Sequence, residues 1–574
     1  MQYLDAKKNR ILLTLFIILI SLIYGLPHII LGSRLGASYT PFSLSPKSPI
    51  AADETYGYAG FTNHIYKGNI LLKDAYVYEY RNFPTPLIAD NIPALAYAIL
   101  TKITGSLEKS YIVSDFIFPA IIFLMIYLFL KMFVKNTYFT LAVAFLTAIA
   151  RDLISVIPFP QATLRYLTFA QYQDTFLHLS RSPHPQFSFI VLLGAVWALV
   201  HLISKPKSNV IIPSLFFGLL FYTYMFYFSY FSLFFALIFL FFIYNKDILM
   251  IRKLFLVGLI ATLVGSYYFW NVFNFYRTDL AFDFAQKMSR PLFTIPLTII
   301  RYALIAFMLL LTARQKDNKI YSLFIFILAG VLIIPLIKLI SVRDFDTFHY
   351  VRFVLMPFST IVFFISIYHL FQKHKLLINL ISTGIIVIGL FLGFKTQIYA
   401  SLKVAPYHVA NTEQKQVFDW FNANSQKNDV IASLNDDFNR YTSVYAKNWV
   451  YFPYTSRTIM PTSESAYRFI ILSNLLGISK DKQKASIDSY LGYIFRFRTY
   501  DSNSNLDKNS QQKKWLIDQI DVLSNQNAWQ NIVYNYKFNY IVVTPDELDI
   551  IQPNTKYLTF VTSINNYLIF RKTI

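Results

Sequence analysis

Residues 7–31 read KKNRILLTLFIILISLIYGLPHIIL. Basic residues precede a run at 11–31 that contains no Asp, Glu, Lys or Arg. A helix needs about 20 such residues to cross the hydrocarbon core of a bilayer. The stretch is similar to a signal peptide, but no small-residue cleavage site directly follows it, and many further apolar runs do. It therefore predicts an uncleaved first membrane helix.

Further apolar runs predict a polytopic α-helical membrane protein with about eleven transmembrane helices. They lie near residues 113–134, 138–157, 187–204, 210–226, 228–244, 254–272, 294–312, 320–340, 354–371 and 377–395. The segment 210–244 is too long for one span, so we divide it at 224–228. Only 14% of the residues are charged, whereas soluble proteins have about 25%.

The positions of the basic residues predict how the helices are oriented. Short basic loops of membrane proteins face the cytoplasm, and here such a turn follows every second predicted span. The turns contain Lys131 and Lys135, Lys205 and Lys207, Lys246 with Arg252 and Lys253, Arg314 with Lys316 and Lys319, and Lys373 with Lys375. The pattern predicts a plasma-membrane protein with a cytoplasmic N-terminus. Because the helix count is odd, the C-terminal region is predicted to lie outside the cytoplasm.

This topology divides the chain into two predicted domains. Residues 1–395 form a transmembrane domain with large external loops at 32–112 and 158–186, and residues 396–574 form a soluble extracytoplasmic domain. A long first external loop suggests that chemistry or recognition takes place outside. The net charge of +21 comes largely from basic residues between apolar runs, so it does not indicate a nucleic-acid partner.

The polar C-terminal region has the patterns of a small α/β domain. Helices are predicted at 412–425, 466–476 and 511–523, and strands at 429–434, 540–543, 557–561 and 566–570. The region contains no nucleophile elbow, no phosphate-binding glycine loop and no zinc-ligand spacing. It is therefore predicted to be a cap or an acceptor-recognition module.

The strongest chemical signal is an acidic pair in the first external loop, Asp53-Glu54, which is followed by Tyr56 and His64. Adjacent carboxylates beside a membrane surface can act as a general base or hold a cation. Asp53 also fits the N-cap of a helix that runs to Ile65, and the two roles are compatible. No close His-x-His or His-x3-His pair predicts a metal site, so no metal ligand is assigned, and a divalent cation is left open.

Two later external segments carry arginine and histidine beside an apolar run. The first contains Arg181 and His184, and the second contains Arg343, His349 and Arg352. Arg and His at the mouth of a helix suit a phosphate or a lipid headgroup. Alternatively, the first segment only marks the membrane interface. The second segment can equally be held by internal Asp–Arg pairs, because ionisable residues near bilayer depth need partners.

The architecture and a short motif together resemble the GT-C fold glycosyltransferases that use polyprenyl-phosphate-linked sugars, the superfamily of protein mannosyltransferases and aminoarabinose transferases. In that family an acidic motif in a long first external loop is followed by Tyr and, several residues later, by Gly. Here the motif is Asp53-Glu54-Thr55-Tyr56, and the glycine is Gly68. One departure is that residues 32–52 separate the acids from the first helix, whereas in many members the acid follows almost immediately.

The resemblance implies a hexosyl- or pentosyltransferase of glycan biosynthesis in the cell envelope. It would transfer a sugar, with inversion, from a polyprenyl-phosphate donor to a glycan, lipid or protein acceptor outside the cytoplasm. Asp53 would accept the proton of the acceptor hydroxyl, and Glu54 would position the acceptor or Asp53. Arg352, with Arg343 or Arg181, would neutralise the leaving phosphate. Arg352 lies near Pro357, which is similar to a late external Arg beside a Pro-containing helix start in the family.

Two other functions remain open at this point. A transporter or flippase for a lipid-linked glycan would more often show internal repeats and broken helices. We find no convincing repeat, and the long segment 210–244 is the best support for this alternative. The third possibility is a non-catalytic membrane scaffold whose C-terminal domain binds a partner.

Overall fold

A computed structural model describes residues 2–42, 55–150, 161, 164, 176–288, 296–312, 317–340, 347–495, 504–525 and 528–573. Up to residue 404 the described elements are mainly helices. They are α1 (Gln2–Leu35), α2 (Thr55–Tyr66), α3 (Asn91–Thr104), α4 (Leu107–Leu130), α5 (Thr137–Ile149), α6 (Gln186–Ser204), α7 (Ile211–Leu220), α8 (Met225–Tyr244), α9 (Ile248–Val264), α10 (Ser266–Tyr276), α11 (Leu280–Met288), α12 (Pro296–Thr312), α13 (Asn318–Ile340), α14 (Thr347–Tyr350), the π-helix Val351–Leu355, α15 (Met356–Phe371) and α16 (Lys375–Val404).

Each predicted apolar run overlaps one of these helices, which makes the chain a multi-pass α-helical membrane protein. Among the described helices, six are long and apolar enough to cross a bilayer, and a bent pair makes a possible seventh. Four further apolar helices are shorter than a full span. The exact count of eleven spans therefore stays a prediction. The predicted division of 210–244 agrees with the structure, because α7 ends at Leu220 and α8 begins at Met225.

The span predicted at 254–272 is broken in the structure. α9 and α10 meet at a 60° bend. The Tyr222 hydroxyl donates to the carbonyl of Val264 (3.0 Å) and accepts from the Tyr268 amide (3.1 Å). It thus satisfies backbone groups that the bend removes from helical bonding, as a non-aqueous environment requires. Glycine fits at the bend because a Cβ on Gly265 would lie 2.6 Å from the ring of Phe221.

Aromatic side chains dominate the core between the membrane helices. Phe358 of α15 contacts Phe326 of α13 and Phe189 of α6, with ring centroids 4.4 and 6.1 Å apart. Other leucines and phenylalanines point outward; Leu376 is 75% exposed and Phe255 60% exposed. Exposed apolar side chains on long helices suit contact with lipid acyl chains.

The C-terminal region contains a five-stranded sheet with helices on both faces. The helices are α17 (Thr412–Asn424), α18 (Asp436–Tyr445), α19 (Thr462–Leu475), α20 (Lys480–Phe495), α21 (Ser504–Asn525) and α22 (Trp529–Ile532). The strands are β1 (Val430–Ala432), β2 (Trp449–Val450), β3 (Tyr540–Val543), β4 (Leu558–Ile564) and β5 (Tyr567–Lys572), in the order β2-β1-β3-β5-β4. Strands β2, β1 and β3 run parallel to one another. Strand β5 pairs antiparallel with β3, and β4 pairs antiparallel with β5.

The position of β3 in the middle of the sheet explains why its sequence is apolar throughout. Tyr540 and Val542 face one core of the region, and Ile541 and Val543 face the other. Successive side chains of a strand point to opposite faces, so a strand covered on both sides has no polar position. The three predicted helices and four predicted strands all overlap observed elements. No prediction was made for α18, α20, α22 or β2. α16 continues to Val404, past the predicted domain border at 395.

Polar contacts join the first external loop to the C-terminal region. The Asn63 side chain of α2 donates to the carbonyls of Ser443 (2.8 Å) and Val444 (2.9 Å). The Val450 amide donates to the carbonyl of Tyr76 (2.8 Å), which extends the β2 edge. Such buried bonds are directional, so they fix the orientation of α2 against α18 and β2.

Candidate functional site

Helix α2 carries the first described part of the site because it begins directly after the acidic pair in the chain. Asp53 and Glu54 lie outside the described residues. Tyr56 lies in the first turn of α2, and Tyr58 follows on the same helix with a buried side chain. The surroundings of Tyr58 therefore show which groups lie near the start of α2.

His184 is the centre of the described cluster. Its side chain is fully buried, and its ring packs edge-to-face on Tyr58, with centroids 4.7 Å apart. The same ring stacks on Tyr224 at 4.4 Å, in the break between α7 and α8. The Nε2 atom of His184 lies 3.2 Å from Oδ1 of Asp90. One histidine thus links the first external loop, the segment before α6 and the start of α8.

His349 joins the cluster from the helical turn α14. Its Nδ1 atom is hydrogen-bonded to the Tyr224 hydroxyl. Its ring packs on Phe226, with centroids 4.6 Å apart, and on Phe353 at 5.0 Å. Two of the histidines predicted as ligand-binding, His184 and His349, are therefore connected through one tyrosine.

Arg181 and Arg352 lie beside the same phenylalanine. The Cζ atom of Arg181 is 5.5 Å from the ring centroid of Phe353. Arg352 precedes Phe353 in the π-helix and is partly buried. The structure thus brings Arg181 close to the ring of Phe353, which His349 also contacts, and places Arg352 next to Phe353 in the chain. Arg343 lies outside the described residues.

Arg457 of the C-terminal region also belongs to the cluster, although no sequence pattern singles it out. Its Cζ atom lies 4.6 Å from the ring centroid of Tyr58, and its side chain is 9% exposed. A Cβ on Gly57 would lie 2.5 Å from Nε of Arg457, so glycine allows this close approach. A guanidinium group from the C-terminal region therefore packs directly on the first half of α2.

Asp74 holds the backbone that follows Arg457. One carboxylate oxygen accepts from the Thr458 hydroxyl (2.5 Å) and the Ile459 amide (2.9 Å). The other accepts from the amides of Tyr76 (3.0 Å) and Val77 (2.9 Å). Burial raises the pKa of Asp74, and these four bonds oppose the rise. The first external loop thereby positions a cation of the C-terminal region.

A second network holds the segment that carries Arg181 and His184. The Gln186 amide nitrogen donates to Asp115 and to the carbonyl of Leu179 (2.7 Å), and its oxygen accepts from Ser182 (3.0 Å). Asp115 also contacts His28 of α1, with Nε2 2.7 Å from Oδ2. A signal for Asp115 exists in the sequence, because an acid inside an apolar span needs a partner.

The charges of the described cluster are mainly positive. Burial lowers the pKa of His184; Asp90 opposes this effect, and the neighbouring Arg181 and Arg457 add to it. His184 is therefore neutral at pH 7. The positive charge comes from the guanidinium groups, which stay protonated in proteins.

The structure does not bring His64 to this cluster. His64 is six residues after Tyr58 on α2, about 9 Å further along the helix axis. Its ring packs edge-to-face on Trp449 of β2, with centroids 5.6 Å apart. Among the described residues, no group of three or more His, Asp or Glu side chains could hold a metal ion.

Comparisons with known proteins give matches in structure but not in sequence. No protein-family model and no curated protein matches this chain. The chain is similar to ArnT from Cupriavidus metallidurans bound to undecaprenyl phosphate, with 9% identity and a TM-score of 0.48 over 96% of this chain and 97% of that chain. It is also similar to the oligosaccharyltransferase from Archaeoglobus fulgidus, with 14% identity and a TM-score of 0.34 over 92% of this chain and 69% of that chain. Both are glycosyltransferases of the GT-C fold.

The cluster has the chemistry of an anion site rather than of a general polar pocket. Guanidinium groups make paired hydrogen bonds to the oxygens of a phosphate, and tyrosine and neutral histidine can donate further bonds. Low exposure strengthens each of these interactions. The arrangement can therefore stabilise a phosphate oxygen on which negative charge develops.

Proposed function

We propose that this protein is a membrane glycosyltransferase that moves a sugar from a polyprenyl-phosphate donor to an acceptor on the extracytoplasmic face. The acceptor oxygen attacks the anomeric carbon, and Asp53 takes the proton of that hydroxyl. The bond from the anomeric carbon to the phosphate oxygen breaks, and its electron pair stays on the phosphate. A single displacement of this kind inverts the anomeric centre.

The observation that carries the proposal is the convergence of Arg181, His184, His349 and Arg457 beside the helix that follows Asp53 and Glu54. The arginines would neutralise the departing phosphate, with Arg352 adjacent on the π-helix. Pre-positioned charge of this kind is often the largest single contribution to catalysis. Glu54 would position the acceptor or Asp53.

The membrane arrangement fits the two substrates. The polyprenyl tail would lie along the outward-facing apolar helices, with its phosphate at the cluster. The N-terminus would be cytoplasmic, and the acceptor would enter between the first external loop and the C-terminal region. The donor panel in the following experiment shows whether the transferred sugar is a hexose or a pentose.

The test is donor consumption by purified protein. A panel of polyprenyl-phosphate sugars would be offered with a lysate of the native host as the source of acceptor. We expect wild type to consume one donor and Asp53→Asn to consume it at least about 100-fold more slowly. Asp419→Asn removes an exposed carboxylate of α17 and should react at the wild-type rate. An active Asp53→Asn protein would disprove the role of Asp53 as base.

A flippase for a lipid-linked glycan is the second candidate, and the 60° bend between α9 and α10 favours it. Broken helices are typical of transporters. Proteoliposomes with a fluorescent polyprenyl-phosphate sugar would measure its movement between leaflets. Translocation by wild type and Asp53→Asn alike, without a glycosylated product, would favour the flippase over the transferase.

A further inference from the structure

A second cationic site lies at the other end of α2, where α2 meets the C-terminal region. We name it the lysine pocket; it is lined by His64, Lys67, Lys427, Lys447 and Trp449 among others. It encloses about 20 Å³ and is otherwise open to solvent, which is room for one small polar group and not for a whole sugar. None of the described residues that line it is an aspartate or a glutamate.

The lysines of this pocket are held in place by backbone carbonyls instead of by acids. Lys67 Nζ donates to Ala446, Lys427 Nζ donates to Lys67 (2.9 Å), and Lys447 Nζ donates to Asn422 (2.7 Å). An ammonium group has three N–H donors, so one carbonyl bond leaves donors for a ligand. The three ammonium groups come from α2 and from the segments before β1 and β2.

Burial and mutual repulsion both disfavour the charged forms of the basic groups in the lysine pocket. Burial lowers the pKa of Lys67 to about 7, and the neighbouring Lys427 contributes. Burial also lowers the pKa of His64 to about 4, with Lys67 and Lys427 adding to the effect. Like charges that repel one another would be relieved by a bound anion.

We infer that the lysine pocket binds an anionic group of the acceptor, a phosphate or a carboxylate carried on a sugar. This inference rests on the proposed function. The pocket lies between the end of α2 and the C-terminal region, and none of its described lining residues belongs to a long apolar helix, so it suits the acceptor rather than a donor held by its lipid tail. It begins about 9 Å along α2 from Tyr58, so one extended acceptor can reach both sites.

The experiment measures how fast the lysines react with an acetylating reagent, using the full-length protein in neutral-lipid nanodiscs and mass spectrometry of the peptides. Inorganic phosphate, glucuronate and uncharged glucose are added in separate arms at equal ionic strength. The expected result is protection of Lys67, Lys427 and Lys447 by phosphate or glucuronate and not by glucose. At a ligand concentration of ten times Kd, protection is about tenfold. Lys513, which pairs with Asp488 elsewhere, should be unprotected.

Two variants sharpen the result. Lys427 is exposed, so Lys427→Gln should fold normally and should reduce the protection of Lys67. Lys513→Gln removes one positive charge outside the pocket and should leave that protection unchanged. Protection by phosphate alone would assign a phosphorylated acceptor, and protection by glucuronate alone would assign an acidic sugar.

Two outcomes separate this inference from the proposed function. Donor consumption without protection of the three lysines, or with equal protection of Lys513, would overturn the lysine pocket and leave the transferase in place. Protection without consumption of any donor would keep the pocket as an anion site and overturn the transferase.

Discussion

The cluster around His184 that contains Arg181 and Arg457, named here the arginine cluster, and the lysine pocket lie at the two ends of α2, and they differ in their cationic side chains. Arg457 is 9% exposed and packs on Tyr58, whereas Lys427 is exposed to solvent. Guanidinium groups keep their charge and match a phosphate in a fixed plane, while an ammonium group is a compact point charge that loses its proton more readily when it is buried. The first site therefore suits charge that develops during a reaction, and the second suits charge that a substrate already carries.

The largest effect is expected from Arg457, because its removal should impair the arginine cluster and leave the lysine pocket intact. Arg457→Gln should lower kcat for donor consumption by about 10²–10³, the usual result of losing one transition-state donor. Arg457→Lys should restore only part of this loss, because an ammonium cannot make the paired bonds. Protection of the lysine pocket should be unchanged in both variants. A wild-type kcat in Arg457→Gln would remove Arg457 from the mechanism.

The second-largest effect is expected from Asp74, which supports both the stability of the fold and the position of Arg457. Asp74→Ala should lower the free energy of unfolding by about 2–4 kcal/mol, because it leaves four buried donors without their acceptor. It should also lower kcat, since Asp74 holds the backbone beside Arg457. Denaturant titration and donor consumption measure the two effects, with Asp419→Ala as the exposed control. Unchanged stability would mean that Asp74 does not anchor the loop to the C-terminal region.

Two glycines of α2 offer a matched pair. A Cβ on Gly57 would lie 2.5 Å from Nε of Arg457, and a Cβ on Gly60 would lie 2.7 Å from Oγ of Ser443, beside the lysine pocket. Each change to alanine gains about 1 kcal/mol of helix propensity. We expect Gly57→Ala to lower kcat and Gly60→Ala to lower lysine protection. Equal effects of both variants on both measurements would show that the two sites are not independent.

The smallest effect is a pH dependence confined to the lysine pocket. Lys67, with a pKa of about 7, is protonated below that pH and loses its charge above it. His64, with a pKa of about 4, stays neutral in this range, and Lys427 and Lys447 complete the cationic lining. Between pH 6 and 8.5 glucuronate keeps its charge, so its affinity should fall as the pH rises. The fall should be roughly fivefold, since a unit charge at 4 Å is worth about 1 kcal/mol.

Lys67→Gln provides the control for this prediction. The variant should bind glucuronate more weakly than wild type at pH 6, and its affinity should hardly change up to pH 8.5. A pH dependence that persists in Lys67→Gln would assign the titration to another group.

Long-range patterns made most of the fold predictable. Each apolar run overlaps at least one helix, and β3 was predicted correctly because a strand covered on both faces must be apolar. The bend at Gly265 was missed, since the signal that allows it is the hydroxyl of Tyr222, which is far away in the sequence. The helices α18 and α20 were missed as well, because their packing faces mix apolar with polar residues.

The site was predicted only in part, for a related reason. Arg181, His184, His349 and Arg352 stand beside apolar runs, where a charged residue is conspicuous in a sequence. Arg457 lies in a polar loop, where an arginine is common and does not indicate a binding site. Its position also depends on Asp74, more than 380 residues earlier in the chain. His64 lies about 9 Å along α2 from Tyr58, and its ring packs on Trp449 instead of on the cluster around His184.

The π-helix Val351–Leu355 has a consequence for how such a site can arise. A π-turn contains one residue more than an α-turn. Deleting one of its residues would restore a regular helix and rotate His349 by about 100° relative to α15, away from its bond with Tyr224. A single inserted or deleted codon is thus enough to create or erase the meeting of these two side chains.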